Sequence, residues 1–353
     1  VALKEFYFNQ RSAYFDDYAR RYTDLPLLLL LKETTSADGK KVLAPDRYVR
    51  ASDFADALGQ TNNPDWKTVA FDAAGQVTLP NGSIGFRWGP EGRADAGKWN
   101  LENKDARSNG DVKLKLSVLE DGAQTHELVD VAFPYYAGAD TPHFPNSKRD
   151  GDLSLAKVPA VRLRLASGDA LVATVFDLQA AQYGIDRGLG SGAKDYNDDY
   201  PYTPAWQEKI TGVPRDQVIT VARQFADNAD KTQGRSMIII GAAMNHWYHA
   251  DMNYRGVINL LMLCGCVGQT GGGWAHYVGQ EKLRPQTGWV PLAFATDWVR
   301  PPRQQNSTSF FYAHSDQWRY EKLGVQEVLS PLADRAKFGG SLIDYNVRAE
   351  RMG

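Results

Sequence analysis

The sequence predicts an α/β fold with a β-rich insert, and three observations carry that reading. Residues 234–240 end in a continuous apolar run, Met237, Ile238, Ile239 and Ile240, closed by Gly241, as a central strand of a parallel sheet requires. That run is flanked by two helical patterns. Residues 214–228 place Val218, Val221, Ala222 and Phe225 at i, i+3, i+4 and i+7, and residues 251–266 are apolar nearly all round. Residues 36–165 have a different texture, with turn-forming Asn62, Asn63, Pro64, Pro80, Asn81 and Gly82 between short alternating runs.

In chain order, residues 8–23 predict a helix, because Tyr14, Phe15, Tyr18 and Tyr22 fall at near-helical spacing. Asp24, Leu25 and Pro26 stop it, since the residue before a proline is pushed out of the helical region. Five leucines at 27–31 read as a buried strand. Two hairpins follow. Residues 113–118 alternate, turn at Asp121 and Gly122, and return through 126–133; residues 161–165 turn at Ser167, Gly168 and Asp169 into 170–176. Gly188, Gly190, Gly192 and Lys194 have the glycine density of a phosphate loop. No Ser or Thr follows Lys194, and no strand and helix flank it, so the stretch reads as a plain loop. Thr203 with Pro204 marks a helix start.

The chain has 353 residues, room for two or three domains. A net charge of −2 gives no electrostatic argument for nucleic acid as a partner. The two cysteines, Cys264 and Cys266, stand one residue apart, which rules out a disulfide framework and favours a reducing compartment. The longest apolar run is far shorter than the ~18 residues of a membrane span. The first residue is not Met, and the whole reads as a piece of a longer polypeptide.

The chemistry concentrates in residues 241–288, which hold His246, His249, His276, both cysteines and the glycine triplet 271–273. In a parallel sheet, ligands bind beyond the carboxyl ends of strands, which is where Asn245 and His246 fall. A zinc site from His246, His249, Cys264 and Cys266 departs from the usual Cys-x₂₋₄-Cys spacing, and both cysteines end an apolar helix. A serine hydrolase lacks its G-x-S-x-G turn. A carbohydrate-active enzyme would suit the 11% aromatic content, but Asp251 and Glu281 are the only carboxylates of the segment. The glycine triplet has two open readings, a turn with positive φ or a close backbone approach to a flat ligand. His249 and His276 are read as structural, and Arg255 as an anchor on the helix.

Gly234 through His249, Asn253 through Leu261 and Cys264 through Gly288 together resemble the molybdopterin oxidoreductases of the dimethyl-sulfoxide-reductase superfamily. The Cys264-Gly265-Cys266 form, where the wider superfamily has Gly-Asn-Ile-Gly over the following turn, points to the catalytic subunits of its respiratory nitrate reductase branch. Residues 202–206 and 210–214 match the superfamily's helix pair before the strand.

The resemblance implies a Rossmann-like cofactor-binding domain over 1–35 and 166–280. It also implies a β-rich and loop-rich insert over 36–165, and a passage into a neighbouring α/β domain over 281–353. It further implies a bis(molybdopterin guanine dinucleotide) molybdenum cofactor reducing nitrate to nitrite. Electrons would come from quinol through iron–sulfur clusters. An iron–sulfur beta subunit and a cytochrome b gamma subunit would hold the protein at the cytoplasmic face of the membrane. The ligands of the subunit's own [4Fe–4S] cluster, and the aspartate on molybdenum, have no counterpart in this chain, which marks it as an internal segment. Residue by residue, Gly241, Ala242, Met244, Asn245 and His246 fall on the loop beside the metal and pterin, and His246 carries the catalytic expectation. Gly279 and Gln280 fall on a pterin-contacting stretch. Val278 stands where formate dehydrogenases carry arginine, which disfavours formate oxidation. The alternative functions are a non-catalytic fragment or scaffold, and the carbohydrate-active enzyme above.

Overall fold

A computed structural model of the chain describes residues 1–36, 39–81, 103–120, 125–134, 153–247 and 250–276. Two compact units divide it: Val1–Thr34, Lys41–Gly138 and Leu153–His276 form one, and Thr35–Lys40, Ala139–Asp152 and Tyr277–Gly353 the other. Nearly every described residue belongs to the first. The turn expected at Asp121 and Gly122, and residues 281–353, lie outside the described residues.

The first unit is a mixed α/β structure. Helix α1 is Ala13–Tyr22, shorter than the 8–23 span in the sequence reading, because Ser12 caps it by accepting from Phe15 N and Arg11 sits at φ 53°. A π-helical turn, Lys4–Asn9, precedes it. The strands that follow are β1 (Leu28–Thr35) and β2 (Lys41–Tyr48), then the two-residue β3 (Ala70–Phe71), β4 (Val77–Thr78), β5 (Pro80–Asn81) and β6 (Lys104–Asp105). Next come β7 (Glu127–Pro134), β8 (Leu153–Leu165) and β9 (Gly168–Thr174). Strands β1, β2, β7, β8 and β9 close into a barrel in that order. Most of its ladders are antiparallel, with Leu28 opposite Thr174, Val129 opposite Val158 and Leu165 opposite Gly168, while β2 meets β7 in parallel at Leu43 and Val131.

The second predicted hairpin is therefore present as β8–β9, but its return strand stops at Thr174. Thr174 caps helix α2 (Val175–Gln182), which takes over Val175 and Phe176. The first predicted hairpin is corrected. Residues 113–118 form no strand, and β7 pairs with β8 instead. Leu114 through Val118 are all buried, so their polar groups need partners, and carboxylates supply them. Glu120 accepts from Leu116 N at 3.2 Å, and Asp177 accepts from Val118 N at 2.9 Å and from Ser117 Oγ at 2.6 Å. Alternation predicts one polar side in water, but Lys115 and Ser117 are buried with their apolar neighbours, so both the faces and the hydrogen bonds differ from that expectation.

Helix α3 (Pro204–Thr211) starts as read, with Thr203 Oγ1 accepting from Trp206 N and Pro204 in the first turn. Helix α4 (Arg215–Thr232) is amphipathic, but its inward stripe is Ile219, Ala226 and Ala229, while Val221 is exposed. Strand β10 (Met237–Ile240), the one-turn helix α5 (Ala242–Asn245), helix α6 (Ala250–Leu263) and strand β11 (Gly273–His276) complete the described residues. β10 and β11 pair in parallel, Met237 with Gly273 through Ile240 with His276. A core of Phe6, Phe15, Phe176, Ala226, Leu261, Leu263, Cys264 and Cys266 joins this region to the N-terminal helices and α2, with Ile238 packed against it. β10 is not buried on both faces, as a central strand would be. Met237 is 45% and Ile239 78% exposed, because the described sheet has two strands and its helices cover one face.

Candidate functional site

The candidate site grows out of the end of β10. After Ile240 the chain turns at Gly241, and Met244 N donates to Gly241 O at 3.2 Å to form α5; Ala250 N donates to Trp247 O at 3.1 Å as α6 begins. This single turn brings Gly241, Ala242, Met244, Asn245 and His246 together at the carboxyl edge of the parallel pair, where the sequence reading had an open loop. His246 and Trp247 are exposed, and Gly241 and Met244 are half-buried. His246 has no hydrogen bond or ion pair with the described residues. His249, Val278, Gly279, Gln280 and Glu281 lie outside the described residues.

Three tyrosines fasten the far end of α6. A helix leaves its last carbonyls without intrahelical partners. Tyr7 Oη donates to Leu263 O at 2.6 Å, Tyr14 Oη to Gly265 O at 2.6 Å, and Tyr18 Oη to Val267 O at 2.8 Å. Burial pushes these phenols up, Tyr14 to about 12, so they stay donors at any physiological pH. The sequence reading used Tyr14 and Tyr18 as helix markers only. Their spacing, one turn apart on a face that stays apolar, was the available signal for a shared docking role.

Both cysteines are buried in this core. Burial pushes the thiols up, Cys266 to about 11, and Cys266 Sγ lies 3.4 Å from Cys264 O. Neither thiol therefore has the thiolate character of a reactive nucleophile. The glycine triplet turns out to serve chain packing at Gly272. A Cβ there would come 1.9 Å from Gly234 O, so two backbone segments touch where side chains would stand.

A buried structural carboxylate, Asp177, went unread in the sequence. It is fully buried on α2 and accepts from Ser117 Oγ, Val118 N, Thr174 Oγ1 and Arg187 Nη1, the last at 2.7 Å. Its signal was the pattern Thr174-x-x-Asp177, a capping arrangement at a strand end. Arg187 is itself 7% exposed, and its Nη2 has no hydrogen-bond partner among the described residues.

Comparison with known sequences decides the family. The molybdopterin oxidoreductase profile matches residues 7–326. The chain belongs to the molybdopterin oxidoreductase family. Among the relatives of this molybdopterin oxidoreductase chain, respiratory nitrate reductase 1 alpha chain of Escherichia coli (strain K12) is 58% identical over 356 residues, covering 100% of this chain and 27% of that protein. Nitrate reductase alpha chain of Bacillus subtilis (strain 168) is 41% identical with the same coverage. Perchlorate reductase subunit alpha of Dechloromonas aromatica (strain RCB) is 30% identical over 219 residues, 61% of this chain and 21% of that protein. The chain thus spans about a quarter of the length of the nitrate reductase chains it matches.

The family implies a molybdenum–molybdopterin cofactor, and the turn after β10 suits its organic part. An exposed imidazole and an exposed indole stand at a strand end, free to meet a flat, polar heterocycle. Among the described residues no three His, Cys, Asp or Glu side chains gather as metal ligands. Among the described residues, no helix is long and apolar enough to cross a membrane.

Proposed function

We propose that this chain is a cofactor-binding segment of a molybdenum-dependent nitrate reductase and acts within a longer alpha subunit. The observation that carries this reading is 58% identity along the whole chain with a respiratory nitrate reductase alpha chain. In this reading β10 and β11 belong to a Rossmann-like sheet, and the cofactor is the bis(molybdopterin guanine dinucleotide) form. Electrons arrive from quinol through iron–sulfur clusters, including the subunit's own [4Fe–4S] cluster, and through beta and gamma partner subunits at the cytoplasmic face of the membrane.

When bound, the cofactor supplies the two-electron centre that nitrate reduction needs. Reduction of nitrate to nitrite removes one oxygen as water and consumes two protons, and the chain's own residues serve that demand. Gly241 lets the backbone turn away from the sheet, and Ala242, Met244 and Asn245 belong to the turn that meets the cofactor. His246, exposed at the strand end, delivers a proton or orients a neighbouring carboxylate through a ring N–H. Gly279 and Gln280 complete the pterin contact, Gln280 offering both donor and acceptor.

The test uses the full-length subunit assembled with its partners. Molybdenum, guanine-containing pterin and nitrate turnover per molybdenum are measured together. His246→Ala lowers turnover per molybdenum by ~10²-fold with the metal retained, in the range of general acid–base effects. His246→Gln recovers it if orientation is the role, and fails to if proton delivery is. An assembled subunit without molybdenum, or a wild-type rate in His246→Ala, overturns the respective part of the reading.

A further inference from the structure

The turn that carries His246 leaves the sheet at Ile240 and ends in α6, and its two stems are joined by side chains. Ile240 is paired in register with His276 at the carboxyl end of β11. Tyr254, near the start of α6, has its hydroxyl 3.4 Å from His276 Nε2. Trp274 shares the β11 face of His276, since side chains two apart on a strand point the same way. Its ring centroid lies 4.9 Å from that of Tyr254 and 6.2 Å from that of His276, nearly parallel to the latter. All three rings are half-buried, and Ile238 pairs with Trp274 just as Ile240 pairs with His276.

We propose that Tyr254 and His276 are positioning residues that close the base of this turn and hold His246 at the carboxyl edge of β10. The link to catalysis rests on the function proposed above; the clamp itself rests on geometry. A tie between the two stems of a loop removes conformations the loop would otherwise sample, and the first turn of a helix frays without one. With the tyrosine O–H as donor, Nε2 accepts, which fixes the ring's orientation against α6. Trp274 stacks on His276 and meets Tyr254 at a tilt of 46°, which keeps the two rings from swinging apart.

Amide hydrogen exchange on the full chain tests the clamp, read on peptides covering residues 241–247. Tyr254→Phe removes only the hydroxyl, and exchange there rises about fivefold, the factor one ordinary hydrogen bond supplies. His276→Ala does the same, while His276→Gln, whose amide oxygen can accept from Tyr254, restores slow exchange. The melting temperature stays at the wild-type value in Tyr254→Phe, which separates a local tie from general destabilisation. Unchanged exchange in Tyr254→Phe overturns the clamp, and so does a His276→Gln variant no slower than His276→Ala. If His276→Ala does not fold, Tyr254→Phe decides alone. In the assembled full-length subunit, Tyr254→Phe then lowers turnover per molybdenum with metal content kept. Faster exchange with unchanged turnover upholds the clamp and counts against the cofactor role of the turn.

Discussion

In the barrel, Leu28, Val131, Val158 and Val172 are all fully buried, whereas in β10 two of four residues, Met237 and Ile239, stand 45% and 78% exposed. Both regions are written in the same apolar alphabet. A closed sheet has no edge, and each of its strands meets two neighbours, so the residues that point inward are enclosed, while Leu128 on β7 and Leu155 on β8 stay exposed at 45% and 54%. Among the described residues, the β10–β11 pair is covered by helices on one face. Among the described residues, the less enclosed of the two regions is the one that carries the candidate site.

The sharpest way to break this contrast is at Asp177, which ties the buried 114–118 strap to the start of α2 just below the barrel. Asp177→Ala strands Arg187 in the interior without its carboxylate and removes four hydrogen bonds at once. A loss of about 3–5 kcal/mol is expected, read from urea unfolding midpoints at constant slope. A change under about 1 kcal/mol would mean that water replaces the carboxylate and the strap is not held as described.

Next in size is a matched pair of truncations. Leu28→Ala, at a barrel position with no exposure, should cost about 2–5 kcal/mol. Ile239→Ala, on the open face of β10, should stay within about 0.5 kcal/mol in the same unfolding assay. Equal costs would show that the outer face of β10 is covered in solution.

The smallest effect is a pH dependence beside the barrel. Burial pushes the Asp105 carboxyl up, but hydrogen bonds from Thr78 Oγ1, Ser108 N, Arg107 and Leu79 N outweigh it and hold the group well below the usual carboxylate range. A folded value below the unfolded value of about 3.9 stabilises the protein fully above that pH. The stabilisation is lost as pH falls through the folded value. The stability gap between wild type and Asp105→Asn should therefore be constant from neutral pH to about pH 5 and narrow below about pH 4. A gap that stays constant down to pH 3 would place the carboxylate in an ordinary environment.

Local pattern was a good guide wherever neighbours in sequence are also neighbours in space. The β8–β9 hairpin, the Thr203 cap and the start of the turn at Gly241 were all legible, because a turn or cap is closed by residues a few positions apart. The position of His246 beyond a strand end was legible for the same reason. Tyr7, Tyr14 and Tyr18 on the end of α6 were not, since each bond spans about 250 positions and nothing in the tyrosine spacing names its acceptor.

By itself the sequence determined the α/β class, the molybdopterin oxidoreductase family and the turn in which Gly241, Met244 and His246 stand. These are properties of periodicity, caps and motifs, which a linear chain carries in full. Only the tertiary structure decided that residues 113–118 are a strap held by carboxylates, that α4 faces inward on Ile219 and not Val221, and that His276 meets Tyr254. An alternating or helical pattern marks an element as amphipathic, but which residues turn inward, and the partner of each buried polar group, are chosen by packing. That choice depends on residues tens to hundreds of positions away.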